Sequence, residues 1–284
     1  IYPVSLYIDK ALTIQGVTAT GQPISSALNT QATIVCQSQG ANSKALIGIT
    51  GNNVTLAGLG FTVDTTDADI DNPVDGKGLL IFTTGDAFTL TNSKVDLNRT
   101  NMLTQSVPGT AIASVVIYDA NPTLNSSKQI IASSIQSYSI TGNILGGMIS
   151  PQNGAGFGAP QSSLVISGNT ITKGLYGAVY LQGNLNDPGN PLSMYDVGLP
   201  LITGNIINTS DLPQDDTTPA IANAAVIGAV FTQPTNAPGK SYVEGVLSSN
   251  TVSDSAYVLT RLGATRYQGN INNPYKFAFG NSCK

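Results

Sequence analysis

ITGNNVTLAG (Ile49–Gly58), ITGNILGG (Ile140–Gly147), ISGNTITKG (Ile166–Gly174), ITGNIINTS (Ile202–Ser210), LSSNTVSDS (Leu247–Ser255) and YQGNINNP (Tyr267–Pro274) are six versions of one short phrase. Aligned, they put Asn52, Asn143, Asn169, Asn205, Asn250 and Asn270 in a single column, with Gly or Ser before each. LTNSKV, from Leu90, sets Ser93 in the same place. Recurrence on a scale of ~20–50 residues is the mark of a solenoid.

The kind of solenoid follows from what flanks the phrase. SLYI, ALTI, ATIVC, NVTLAGL, AFTL, SLVIS, AVYLQ and YVLT are short, β-rich apolar runs without a sustained helical period. Gly and Asn both tolerate the left-handed backbone of a sharp bend. One corner per coil would stack Asn on Asn, each amide bonding the next as in the Asn ladders of stacked sheets. That column is the expected structural ladder.

Composition agrees with a single domain over residues 1–284. Hydrophobic residues are 41% of the chain and charged ones only 10%, with Asn, Gln, Ser, Thr and Gly supplying the polarity. A net charge of -4, from 12 basic and 16 acidic side chains, leaves no basic patch for phosphate, which disfavours nucleic acid. AAVIGAVF, among the longest apolar runs, is far short of the ~20 residues that cross a bilayer, so membrane insertion is not expected. The chain opens at Ile1 without methionine, which predicts a preceding segment and a secreted protein or one on a cell or virion surface. Cys36 and Cys283 have no metal-like spacing, and the chain has no histidine. Cys36, inside TIVC, reads as a buried thiol.

With YPVSLYIDKALTIQGV, ITGNNVTLAGLGFTV and the SGNTI-type corners in view, the chain resembles the right-handed parallel β-helices of the pectin lyase-like superfamily, over nearly its whole length. The resemblance implies an all-β rod with loops inserted at its edges. It does not imply one activity, because the superfamily includes polysaccharide lyases, glycoside hydrolases, adhesins and viral spikes.

Insertions fall in two sets. DANPTLNSSK, SPQNGAGFGAPQ, LQGNLNDPGNPLSMYDVG and TQPTNAPGK define one edge; DTTDADIDNPVDGK, NRTNMLTQSVPGT and SDLPQDDTTPA define another. The surface between these two decorated edges is where a partner is expected. The strands before the first set, read as LLIF, VVIY, GAVY and GAVF, align Phe82, Tyr118, Tyr180 and Phe231. Pointing inward, these rings would form a packed stack, the reading that their apolar neighbours favour. Pointing outward, Tyr118, Tyr180 and Phe231 would offer faces to sugar rings.

Candidate chemistry is sparse. Asp67, Asp69, Asp71 and Asp75, beside Asp64, could gather a hard cation such as calcium, but Asn72 takes the place of the glycine turn and no bidentate Glu follows. A solvated acidic loop is the slightly favoured alternative, and no cofactor is required. Hydrolysis needs two carboxyl groups across a scissile bond. Asp215 with Asp216, the Asp64–Asp75 cluster and Glu244 are the candidates, and the Gly-His-Gly and Arg-Ile-Lys segments of polygalacturonase-like enzymes are absent. Uronate elimination needs basic groups, and Arg261, Arg266 and Lys240, with Glu244 nearby, form the one basic cluster. The preferred function is a non-catalytic adhesin, spike or filament-forming module that takes polysaccharide at its lateral loops. The alternative is a carbohydrate-active enzyme on acidic polysaccharide, a lyase sooner than a hydrolase. The first coil begins without a cap, and NINNPYKFAFGNSCK supplies a capping or docking tail over 271–284, which together predict self-association. Cys36 and Cys283 should lie near opposite ends of a rod of roughly ten coils.

Overall fold

The computed structural model describes residues 2–4, 6–36, 47–63, 79–96, 113–126, 130–172, 179–182, 198, 200–208, 224–229, 247–248, 251–253, 257–262 and 282–283. They form a right-handed parallel β-helix of three sheets, and each coil visits the first, second and third sheet in turn.

The first sheet stacks nine strands: Tyr2–Val4, Thr33–Cys36, Gly60–Val63, Lys94–Asp96, Ile144–Leu145, Thr170–Thr172, Ile206–Asn208, Thr251–Ser253 and Ser282–Cys283. The second stacks eight: Leu6–Ile8, Ile47–Ile49, Leu79–Thr83, Ala113–Tyr118, Met148–Gln152, Val179–Gln182, Ala224–Ala229 and Tyr257–Leu262. The third stacks seven: Leu12–Gln15, Val54–Ala57, Phe88–Thr91, Tyr138–Thr141, Leu164–Ser167, Leu201–Thr203 and Leu247–Ser248. Nine described strands at ~4.8 Å span about 38 Å along the axis.

Alternation builds the core. In the second sheet Ile47, Ile81, Val115, Ile149 and Val179 stand in one inward column, all buried. In the third, Val54, Phe88, Tyr138 and Leu164 form one column, and Leu56, Leu90, Ile140, Ile166 and Ile202 the next. Each such aliphatic side chain contributes about 1.5–3 kcal/mol on burial, so the stacked columns carry the fold. Successive residues point to opposite faces, which fixes register: a slip of one residue would turn every column outward.

Between the third and first sheets most coils turn on only two residues: Gly58-Leu59, Asn92-Ser93, Gly142-Asn143, Gly168-Asn169 and Gly204-Asn205. The first of each pair has a left-handed φ, from 50° at Asn92 to 66° at Gly142. This conformation costs most L-residues about 1–2 kcal/mol, which is why Gly or Asn fills the position. The second residue faces inward as a rung. Asn169 Oδ1 accepts from the Asn143 N–H (3.0 Å) and Nδ2 (3.0 Å), while Asn169 Nδ2 donates to the Ile140 carbonyl (2.8 Å) and to Asn205 Oδ1 (3.0 Å). Asn143 Oδ1 accepts from the Ser93 N–H (2.9 Å), and Ser93 Oγ accepts from the Leu59 N–H (3.2 Å). Ser93, Asn143, Asn169 and Asn205 are therefore consecutive rungs, all buried. Asn250 and Asn270 lie outside the described residues.

Asn52 is a correction. The phrase around it ends a strand of the second sheet, so it marks the corner between the second and third sheets. Asn53 there has φ 58°, while Asn52 is exposed and its Oδ1 accepts from the Asp86 N–H (2.9 Å). Two different corners need a left-handed residue and a short amide beside it, and so they are spelled alike. The coil's true two-residue corner is Gly58-Leu59, where an apolar rung starts the column.

Cys36 is buried and its thiol free. It pairs in register with Val4 and Val63 on the first sheet, and Cys283 pairs with Val252 on the same sheet. Seven strand spacings of ~4.8 Å separate the two, far beyond the ~7 Å that a disulfide allows between Cα atoms.

Candidate functional site

Insertions leave the coil mainly at two of its three corners; residues 16–32 of the first coil are the exception, between the third and first sheets. Residues 64–78 and 97–112 connect strands of the first sheet to strands of the second, whereas 119–137, 153–163 and 183–200 connect the second to the third. The second sheet is thus the face bordered by both rows, the surface on which a partner is expected.

Its outward side is apolar in the middle coils. Ala113, Val116 and Met148 form a buried cluster separate from the main core, and Phe82 and Tyr118 pack against it. The two rings stack with centroids 5.6 Å apart and planes at 30°, and both remain partly exposed. Alternation explains the direction: Ile81 and Thr83 flank Phe82, and Ile117 precedes Tyr118, all three fully buried. The inward aromatic stack expected from the sequence is therefore corrected for Phe82 and Tyr118. The inward aromatic pair is Phe88 with Tyr138, one sheet further on.

The register also changes the alignment. Phe82 pairs with Val116, and Tyr118 pairs with Gln152. Ile149 pairs with Val179, which puts Tyr180 beside Ser150 in the Phe82 column, while Tyr118 stands two residues on. Val115 pairs with Ile81, two residues beyond Leu79, so VVIY and LLIF are offset by two places along the same column. Tyr118 meets Phe82 diagonally across neighbouring strands. Phe231 lies outside the described residues, and of Tyr180 the backbone position alone is described.

Asp119, which follows Tyr118, was not singled out in the sequence. Its carboxylate is fully buried: Oδ1 accepts from the Asn121 N–H (3.0 Å) and the Ser134 hydroxyl, and Oδ2 from the Ser133 hydroxyl (2.7 Å) and the Ser134 N–H (2.8 Å). Asn153 Nδ2 donates to its carbonyl (2.6 Å), and Ser133 Oγ accepts from the Ile135 (3.0 Å) and Gly156 (3.1 Å) N–H groups. This network ties the antiparallel pair Thr123–Leu124 and Ile130–Ala132 to the next coil's turn. A buried carboxylate needs such a set of donors, since an uncompensated charge is expensive to bury. The available signal was Asp-Ala-Asn opening a loop, the pattern of an Asx turn.

The remaining candidates are not brought together among the described residues. Arg261 lies in the second-sheet strand Tyr257–Leu262, paired with Gly228, which in turn pairs with Leu181. Lys240, Glu244, Arg266, Asp215 and Asp216 lie outside the described residues, as do Asp67, Asp69, Asp71 and Asp75. Among the described residues no cluster of three or more His, Cys, Asp or Glu side chains could hold a metal ion, and no helix is long and apolar enough to cross a membrane. Comparison with family models, with characterised proteins and with solved structures finds no match to this chain.

Proposed function

We propose that this chain is a non-catalytic glycan-binding module of the adhesin, spike or filament type, secreted or carried on a cell or virion surface. The outward pair Phe82 and Tyr118 carries the reading: two stacked rings, partly exposed, on the sheet that lies between the two rows of insertions. An aromatic face of this kind suits the apolar face of a sugar ring, and a stacked pair is already held in place before the ligand arrives. Asp119, the carboxylate nearest that pair in sequence, supports binding over catalysis, because both of its oxygens are occupied by donors that hold the loop. Calcium at Asp67, Asp69, Asp71 and Asp75 would order a bordering loop, and association of rods would multiply weak contacts.

The test is a panel of neutral and uronate-containing polysaccharides, with and without calcium, read for retention and for unsaturated product. Retention without product, weakened roughly five-fold by Tyr118→Ala as loss of about 1 kcal/mol implies, is expected. Product formation abolished by Arg261→Ala would replace this reading with a lyase.

A further inference from the structure

The three faces of the rod differ. The second sheet is bordered by insertions, and the first carries exposed Lys94 and Asp96 and the exposed side chain of Ile206. The third sheet has insertions along its edge with the second and, at residues 16–32, beside its first two strands, where Ala57 is buried, but it carries no charge at its outward positions. Its outward positions form two rows along the axis: Thr13, Thr55, Thr89 and Ser139 in one, and Thr91, Thr141, Ser167 and Thr203 in the other. All eight are exposed or partly exposed. Gln15 and Ala57 begin the second row and Val165 and Leu201 continue the first, so no charge interrupts either.

Strand pairing fixes the mesh at ~4.8 Å along the axis, and alternation fixes it at ~6.7 Å across, from residue i to i+2. Thr89, Thr91, Ser139 and Thr141 make its densest cell, where the Thr91 and Thr141 hydroxyls lie 3.1 Å apart. Threonine is stiff at χ1, so its hydroxyl and methyl are held in place by the backbone. The face therefore offers a rigid two-dimensional repeat of hydroxyls and methyls. A sugar would find no aromatic ring among these positions. A protein partner would find no charge pattern and no large exposed apolar anchor.

We propose that the outer face of the third sheet is an ice-binding face, its partner the ordered water at the surface of an ice crystal. Such a surface is itself a fixed two-dimensional lattice of donors and acceptors with repeats of similar size. A protein can hold it only with polar groups that are already fixed at commensurate spacing, because groups that had to be ordered on contact would lose entropy. Charges would work against this, since an ammonium or carboxylate keeps its own strong hydration shell. The uncharged Thr and Ser rows, with methyls between hydroxyls, meet both conditions.

The experiment grows ice in dilute solutions of the full chain and measures crystal shape, recrystallisation and incorporation of labelled protein. The folded chain is expected to facet the crystals, slow recrystallisation and enter the ice. Thr91→Tyr and Thr141→Tyr should return all three readings to the buffer level with the circular dichroism and unfolding midpoint retained. Thr170→Tyr, on the outer face of the first sheet, should leave them unchanged. Thr89→Lys, which adds a hydrated charge at a partly exposed position, is a second arm should the tyrosine variants not fold. Ice growth like that in buffer alone would overturn the proposal, as would equal loss in Thr170→Tyr. Retention on insoluble cellulose or chitin without any effect on ice would likewise overturn it and give the face to a glycan.

Discussion

Asn169 accepts from two nitrogens of Asn143 and donates to a carbonyl and to the next amide, entirely out of water. Asn169→Ala should cost about 2–4 kcal/mol, because it strands a buried N–H and a buried carbonyl beyond the bonds it removes. Asn52→Ala, at the exposed corner, should cost no more than about 0.5 kcal/mol. Denaturant titration of both variants checks the pair, and equal costs would contradict the assignment of the two corners. Burial also pushes the Cys36 thiol from its ordinary 9.0 up to about 12. The unfolded chain then releases this proton near pH 9 while the folded chain keeps it, so stability present below pH 9 drains away as pH rises toward 12. The loss is up to about 1.4 kcal/mol per pH unit for this group. Burial raises the Tyr138 phenol as well, in the same direction. Urea unfolding followed by circular dichroism across this window should show the decline, and Cys36→Ala should flatten it between pH 9 and 10 and lessen it above, where Tyr138 still contributes.

At the scale of the element, the Phe88, Tyr138 and Leu164 column is the most revealing. The Tyr138 hydroxyl is buried without a hydrogen-bond partner, so Tyr138→Phe should be stabilising by about 1 kcal/mol, read as an unfolding midpoint raised by about 2 °C. A lower midpoint would mean that the hydroxyl is satisfied in solution. The corners show how much of such elements was legible. Gly142-Asn143, Gly168-Asn169 and Gly204-Asn205 could be read as one feature because each demands a left-handed residue and then a buried amide. Ser93 could be placed among them by alignment, while Leu59 could not, since an apolar rung leaves no polar trace. Asn52 was misplaced because a neighbouring corner obeys the same backbone rule. The aromatic direction was beyond reach for another reason: period-two alternation separates two faces without saying which is inside, and similar spelling hid that Val115 pairs with Ile81 and not with Leu79, which sets Tyr118 two places past Phe82. Asp119 escaped because its meaning depends on Ser133, Ser134 and Asn153, which become neighbours only once the coils stack.

For the whole molecule, three parallel sheets predict a circular dichroism spectrum dominated by β structure, with substantial helix the contrary result. The association proposed above can be tested at the first described strand of the third sheet. Leu12 shares the inward column of Val54 yet is 40% exposed, since no described strand pairs with the far side of its own. Leu12→Lys should therefore shift light scattering toward a monomer, whereas an unchanged mass would move the interface elsewhere.

Successive rungs of the corner ladder stand 50, 26 and 36 residues apart, yet their hydrogen bonds are alike to within 0.1 Å, from 2.9 to 3.0 Å. The rod keeps count in coils and is indifferent to the residues spent between them. In the history of such a gene, insertions and deletions after strands of the first and second sheets would pass selection for folding almost unnoticed. A single residue gained or lost between Thr141 and Ile144 would not, and the surface of the protein could thus diverge while its skeleton stood still.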